Sequence, residues 1–276
     1  MDDLTLPLLP SLPELTEIWQ QTLNWQPTAE QEAQFERLYQ LVIQGNRQFN
    51  LTRITDPKDF WEKHLWDSLR GIKPLLSKVK GDKGEGEDKG DGEDKGAIQE
   101  NISLSPSLPL TIIDIGTGAG FPGIPTALTL PTSTIYLLDS TRKKIVFVEQ
   151  ILAELNLTNV KTITGRAEEI GQQRSHRKLY DVALIRAVSN VTVCAEYALP
   201  LLKQGGLAVV YRGSWTDEEN TALENAMQEL GGKIESIDQF KTPLSASDRT
   251  CLYLRKVAPT PAMYPRAIGL PTQKPL

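Results

Sequence analysis

Apolar positions along this chain fall into two regimes. Up to about residue 75 they recur every three to four residues. Leu15, Ile18, Trp19, Thr22 and Leu23 follow i, i+3, i+4 spacing, which predicts one face of a helix. A second helix is predicted to open at Thr28, with Gln31 three residues on completing a capping box, and Phe35, Leu38, Tyr39 and Val42 form its stripe. Asp56-Pro57, an N-cap followed by proline in the first turn, starts a third helix carrying Phe60, Leu65, Trp66 and Leu69. Residues 1–77 are therefore expected to form an N-terminal helical cap.

From Leu110 the pattern changes to short β-branched runs alternating with helical stretches, which predicts a parallel sheet with crossover helices. The expected strands are Thr111 to Ile115, Thr134 to Leu138, Val160 to Thr164, Val182 to Ile185, Leu207 to Tyr211, Lys233 to Phe240 and Cys251 to Lys256. The expected helices are Ile124 to Leu130, Lys143 to Leu155, Val191 to Leu202 and Asp217 to Leu230. The fold class is α/β: a doubly wound, seven-stranded Rossmann-like sheet over residues 109–257, behind the helical cap. Such a sheet binds ligands at the carboxyl ends of its strands, near the switch point beside the first one.

Between cap and sheet, residues 78–108 break both patterns. Gly81 to Gly96 reads GDKGEGEDKGDGEDKG, with 3 Lys against 7 acidic residues and nothing apolar to bury. Such a composition predicts a disordered insert, although its carboxylates could instead form a metal or partner site. It also explains the charge balance. The whole chain carries a formal net charge of −5 with a pI near 5.3, which would argue against a nucleic-acid partner. Without the insert, 27 basic residues face 28 acidic ones, and Arg249 to Leu276 contains five cations and no acid. Residues 258–276 are thus a basic, proline-rich tail, expected to form neither helix nor central strand and to suit extended docking on RNA.

The 276 residues, 24% of them charged, exclude disorder throughout, collagen and membrane classes. Cys194 and Cys251 cannot build a disulfide scaffold or a cysteine-rich zinc site, and two histidines, His64 and His176, leave little room for any metal. Asp2 and Asp3, with Pro7, Pro10 and Pro13 behind them, do not make a signal peptide. A cytoplasmic protein is expected.

The most informative stretch follows the first strand: Asp114-Ile-Gly116-Thr-Gly118-Ala-Gly120-Phe121-Pro122-Gly123. Alternate glycines between a strand and a helix let the backbone turn sharply and approach a ligand closely. Gly118-x-Gly120-x-x-Gly123 also satisfies a dinucleotide fingerprint, so NAD is the alternative ligand. An acid at the mouth of the turn, Asp114, suits an ammonium and a sulfonium better than a pyrophosphate. Asp139, ending the second strand, can accept from both ribose hydroxyls or cap the next helix. After the third strand, Ala167 is small against an adenine ring and Glu168 can take a hydrogen bond. The D-x-G-x-G-x-G form resembles that of S-adenosylmethionine-dependent methyltransferases.

Residues after the fourth strand bear on the methyl acceptor. Ile185-Arg186-Ala187-Val188-Ser189 lacks the Asn/Asp-Pro-Pro-Tyr/Phe motif of amino methylases, and neither cysteine is placed as a nucleophile. The chemistry left is attack by an atom already nucleophilic, such as guanine N7, for which alignment matters more than a general base.

At this point the chain resembles the RsmG (GidB) family of small-subunit ribosomal RNA guanine-N7 methyltransferases, from about Phe35 to Leu276. The segments that carry the likeness are Phe49 to Thr52 with Asp56-Pro57, His64 to Ser68, the loop from Asp114 to Pro125, Leu138 to Ser140 with Lys143-Lys144, Arg166 to Glu169, Ile185 to Val188, Ser247 to Arg249, and the tail residues Tyr264 to Arg266, Gly269, Pro271 and Lys274 to Leu276. The resemblance implies S-adenosylmethionine as cofactor, contacts at Gly116, Phe121, Asp139, Ser140, Thr141, Ala167, Glu168 and Arg186, no metal, and 16S rRNA or the small subunit as partner of a monomer. Arg186 is expected to align the substrate, or else to pair with Asp139 or Glu168. His64 and Asp67, at i, i+3, are expected to form a satisfied pair linking cap and core, with contact to the substrate as the alternative. Arg142, Lys143 and Lys144 could contact phosphate or simply begin a helix. A small-molecule methyltransferase and a non-catalytic ribosome-assembly factor remain as alternatives.

Overall fold

A computed structural model of the chain describes residues 10–49, 51–76 and 109–276. The expectations for the acidic insert and for the first nine residues lie outside the described residues.

The cap comprises α1 (Thr16–Leu23), α2 (Ala29–Phe49) and α3 (Pro57–Phe60), which continues through a π-wound turn, Trp61–Trp66, into α4 (Asp67–Gly71). Local signals start these helices as expected. The backbone N–H of Thr28 donates to the Gln31 side chain and that of Gln31 to Thr28 Oγ1; Asp56 Oδ1 accepts from Lys58 and Asp59 N–H. The π turn is not legible in the spacing. It buries Glu62 and His64 along with Trp61, Leu65 and Trp66, where a regular stripe would bury only the apolar ones.

Seven strands follow: β1 (Thr111–Ile115), β2 (Thr134–Asp139), β3 (Val160–Thr164), β4 (Tyr180–Arg186), β5 (Leu202–Arg212), β6 (Gly232–Lys241) and β7 (Asp248–Lys256). Their order is β3-β2-β1-β4-β5-β7-β6. β1 to β5 pair in parallel, and β7 runs antiparallel between β5 and β6. The chain reverses its direction of winding between β1 and β4, so their carboxyl ends open a crevice. The connecting helices are α5 (Gly123–Thr129), α6 (Arg142–Glu154), α7 (Ala167–Gln172), α8 (Val191–Ala198) and α9 (Asp217–Leu230), and α10 (Leu270–Gln273) closes the tail.

Alternation along the strands divides the core in two. Ile112, Leu184 and Val209 join α5, α6 and the cap residues Trp19, Leu38, Phe60 and Trp66. Ile113, Ile115, Ala183, Ile185, Ala208 and Val210 face α7, α8 and α9 on the other side. The cap thus shares one continuous core with the sheet, and Tyr211 and Tyr253 donate hydroxyl hydrogen bonds to the carbonyls of Ser68 and Gly71.

Two expectations need correction. The helix from Val191 ends at Ala198 and not at Leu202, because Pro200 has no N–H to continue the ladder, and Leu202 pairs with Tyr180 as the start of β5. The tail does form a helix, α10. Its Pro271 lies in the first turn, where no N–H is required. Among the described residues, no helix is long and apolar enough to cross a membrane.

Candidate functional site

The glycine loop runs from the end of β1 into α5. Gly116 has φ +74, and a Cβ there would lie 2.6 Å from Val188 Cγ2, so the loop abuts the segment after β4 and no other residue fits. All of the loop's N–H groups but that of Ala119 are spent within the fold. Gly116 and Thr117 donate to the Leu138 carbonyl, Gly118 to Asp139 Oδ2, Gly120 and Phe121 to the Thr117 carbonyl, Gly123 to Asp114 Oδ2, and Ile124 to the Gly120 carbonyl. A pyrophosphate cradle needs such groups free and pointing at the ligand; here they brace the loop.

Asp114 does much of that bracing. Its Oδ2 accepts from Thr117 Oγ1 at 2.6 Å and from Gly123 N–H at 2.8 Å, while Oδ1 is buried with no hydrogen-bond partner. Burial pushes the carboxyl up to about 6, against the lowering effect of those two bonds. The carboxylate therefore sits behind the loop, away from the cavity lining, and contributes a negative field there that the Arg186 charge offsets only in part.

A cavity of about 280 Å³ lies over the carboxyl ends of β1, β2 and β3, near the lower end of small-molecule sites. Gly116, Asp139, Ser140, Thr141, Ala167 and Glu168 all line it, so most of the residues singled out from sequence converge. Asp139 Oδ1 accepts from Thr141 N–H at 2.8 Å and Oδ2 from Gly118 N–H at 3.0 Å. One carboxylate ties the loop to the entry of α6, and each oxygen keeps a second lone pair for a ligand hydroxyl. Lys144, 3.7 Å from Asp139 Oδ2, pairs with that carboxylate. Glu168 Oε1 accepts from the Tyr197 hydroxyl and from Gly269 N–H, both at 3.0 Å. This donor and acceptor set fits a nucleoside carrying positive charge: acceptors for hydroxyls and an amine line the cavity, an unsatisfied buried carboxylate oxygen lies behind it, and with all but one of its N–H groups spent the loop is not a phosphate cradle.

Phe121 and Arg186 are placed elsewhere. Both lie behind the loop against the cap. Phe121 stacks on His64, ring centroids 4.5 Å apart and 15° between planes, and meets Phe60 edge-on. Arg186, ending β4, donates to the Lys63 carbonyl at 2.8 Å and to Asp67 Oδ2 at 3.0 Å, with His64 Nδ1 3.4 Å away. Neither Asp139 nor Glu168 is its partner, so the pairing offered as the alternative to substrate alignment does not form. The π turn rotates Asp67 and the Lys63 carbonyl onto the end of β4 instead. His64 and Asp67 link cap and core, yet through Arg186 and not through each other. His64 Nε2 meets Thr52 Oγ1 at 2.9 Å, and burial, assisted by the Arg186 charge, pushes its imidazole down to about 3, so it is neutral. Cys194 and Cys251 are buried structural thiols, and burial pushes Cys194 up to about 11.

The tail is not a free basic strip. Arg266 forks onto buried Glu196 through Nε and Nη2 at 2.6 to 3.1 Å, Arg255 pairs with Glu235, and Lys256 is buried against the Leu199 and Leu202 carbonyls. Three of the five cations counted there are consumed inside the fold. The reading also missed Val188, Tyr197 and Thr272, which line the cavity as well. Tyr197 follows ordinary helical spacing and Thr272 sits 131 positions beyond Thr141, so no local signal marked either.

Comparison with known proteins agrees with this geometry. The family model for rRNA small subunit methyltransferase G matches residues 31–85 and 98–250, and the gap falls largely within the acidic run. The ribosomal RNA small subunit methyltransferase G of Nostoc punctiforme is 64% identical over 265 residues, that of Trichormus variabilis 61%; each alignment covers 96% of this chain and 98% of the relative. That of Trichodesmium erythraeum is 54% identical over 266 residues, covering 96% of this chain and 94% of the relative. A glycine loop braced by its own acids, at the switch point of a sheet whose whole length aligns with these enzymes, leaves one assignment: the chain belongs to the rRNA small subunit methyltransferase G family.

Proposed function

We propose that this protein transfers a methyl group from S-adenosylmethionine to N7 of a guanine in the 16S rRNA of the small ribosomal subunit. The observation that carries the reading is the convergence of Gly116, Asp139, Ser140, Thr141, Ala167 and Glu168 on one cavity beside a loop whose N–H groups, that of Ala119 excepted, are already satisfied. Gly116 lets the backbone approach the ligand, Asp139 receives the ribose hydroxyls, and Ala167 and Glu168 flank the adenine. The bound cofactor supplies a methyl group on a sulfonium, and the buried charge of Asp114 favours a cation in front of the loop.

Guanine N7 offers a lone pair and carries no proton, so this chain's residues have to orient and exclude water, not remove a proton. Arg186 is assigned to alignment: it ends β4, next to the cavity-lining Ala187 and Val188, with its guanidinium fixed by Asp67 and the Lys63 carbonyl. An rRNA substrate puts the reaction in the cytoplasm, and a cavity built by one chain supports a monomer.

The test is transfer of labelled methyl from the cofactor to unmodified 16S rRNA and to small subunits, followed by chain cleavage at N7-methylguanine. Label at a guanine N7 is expected. No label in either substrate overturns the reading, and label on another atom overturns its guanine N7 part.

A further inference from the structure

The C-terminal segment, expected to serve RNA, is instead built into the wall of the cavity. Its course is set outside the cavity by side-chain hydrogen bonds to its backbone and to Tyr264. Arg177 donates to the carbonyls of Thr260, Pro261 and Tyr264, Gln172 to those of Ala262 and Pro265, and Tyr264 to Glu229. Arg266 then closes the bidentate pair with Glu196, a carboxylate with no exposed surface, whose Oε1 also accepts the Arg266 backbone N–H. A fork of this kind fixes orientation as well as position. It delivers the next six residues to the cavity.

There Gly269, at φ +78, turns the chain and donates its N–H to Glu168 Oε1. Thr272, one turn into α10, lines the cavity alongside Glu168 and Tyr197. The carboxylate that faces the base side of the cavity is therefore held by one donor from α8 and one from the tail. With Oε1 spent on Tyr197 and Gly269, Oε2 is left to accept from an exocyclic amine.

We propose that Gly269 and Thr272 are binding determinants for the nucleoside cofactor: the tail supplies one wall for the base and fixes Glu168 in the rotamer that accepts from its amine. This rests on the cofactor reading above and adds to it a segment that no motif of the sheet contains. It also separates two roles for the tail. A wall of the cavity affects the cofactor, whereas a basic docking strip affects RNA.

The experiment measures binding of S-adenosylhomocysteine by titration calorimetry and of 16S rRNA by filter retention, for the full-length wild type, Gly269→Pro and Thr272→Trp. Gly269→Pro removes the N–H donor and the turn; Thr272→Trp, at an exposed position near the chain end, fills the wall without touching the core. Both variants are expected to weaken S-adenosylhomocysteine at least tenfold, with melting temperature and rRNA affinity close to wild type. Should Gly269→Pro not fold, Thr272→Trp decides alone. Wild-type affinity for S-adenosylhomocysteine in folded variants, with or without weakened rRNA binding, overturns the proposal and leaves the cofactor reading standing. A wild type that binds rRNA and no S-adenosylhomocysteine overturns both.

Discussion

Asp114 and His64 flank the glycine loop and carry opposite pH dependences. Burial raises Asp114 from 3.8 to about 6. Between those values the folded protein keeps a proton that the unfolded chain has released, so the stability linked to Asp114 falls as pH rises through the window. His64 is the reverse case: its pKa drops from 6.5 to about 3, the unfolded chain takes up the proton first, and stability falls as pH drops through that range. The two slopes oppose each other between about pH 4 and 6. At about 1.4 kcal/mol per pKa unit, Asp114 contributes roughly 3 kcal/mol of that compensation. Asp114→Asn keeps an acceptor for Thr117 and Gly123 and never ionises. The variant is expected to be at least as stable as wild type at pH 7, yet to lose about 2 kcal/mol more than wild type between pH 6.5 and 4. Urea unfolding at the two pH values measures the difference; equal losses would remove the buried charge from the account.

At the scale of elements, the joint between the π-wound turn and the end of β4 holds the candidate site against the cap. Asp67 and Arg186 are both largely buried, with side-chain exposures of 10% and 15%, and the other cation near Asp67, Arg249, stands 3.8 Å away. Arg186→Ala would leave that carboxylate only its longer pair with Arg249, a loss of about 2 kcal/mol against about 3 for a buried pair left with no partner, and would free the Lys63 carbonyl. Thermal unfolding is expected to show that loss, and methyl transfer is expected to fall at least tenfold, with Arg186→Lys intermediate because it cannot span both acceptors. Near-normal transfer by the alanine variant would take Arg186 off the site. What was legible before the structure follows the same divide. The glycine loop, Asp139 and the Asp56 cap announce themselves because strand, turn and helix signals are local. The π turn does not, since Glu62 is held by the N–H groups of Leu244 and Ser245, and His64 and Asp67 by Arg186, partners more than a hundred residues away. Arg186 could be placed at a strand end from its spacing, but its partners depend on which cap helix docks there. The tail misled for a related reason: counting cations does not show that Glu196 and Glu235, both distant in sequence, neutralise two of them.

At the scale of the whole molecule, net charge is a poor guide to partners here because its two largest local deviations lie at opposite ends of the argument. The tail's excess of cations is absorbed mostly within the fold. The acidic excess sits in Gly81 to Gly96, which carries a net −4 of the chain's −5 and overlaps the stretch between residues 85 and 98 that the family model leaves unmatched. Among the described residues, every one lining the cavity lies at Ile115 or beyond, and the buried residues of the cap run up to Leu76. Removing Gly81 to Gly96 is therefore expected to leave melting temperature and maximal transfer within about twofold of wild type. Electrostatics should show the one change. Four fewer negative charges reduce repulsion of a polyanion over roughly a Debye length, about 10 Å at 0.1 M salt, so the deletion is expected to lower the KM for rRNA at low salt and to converge with wild type as salt is raised. Steady-state transfer at two salt concentrations measures this directly. A deletion that abolishes transfer at every salt concentration would give the acidic run a role in catalysis or assembly that its composition does not suggest.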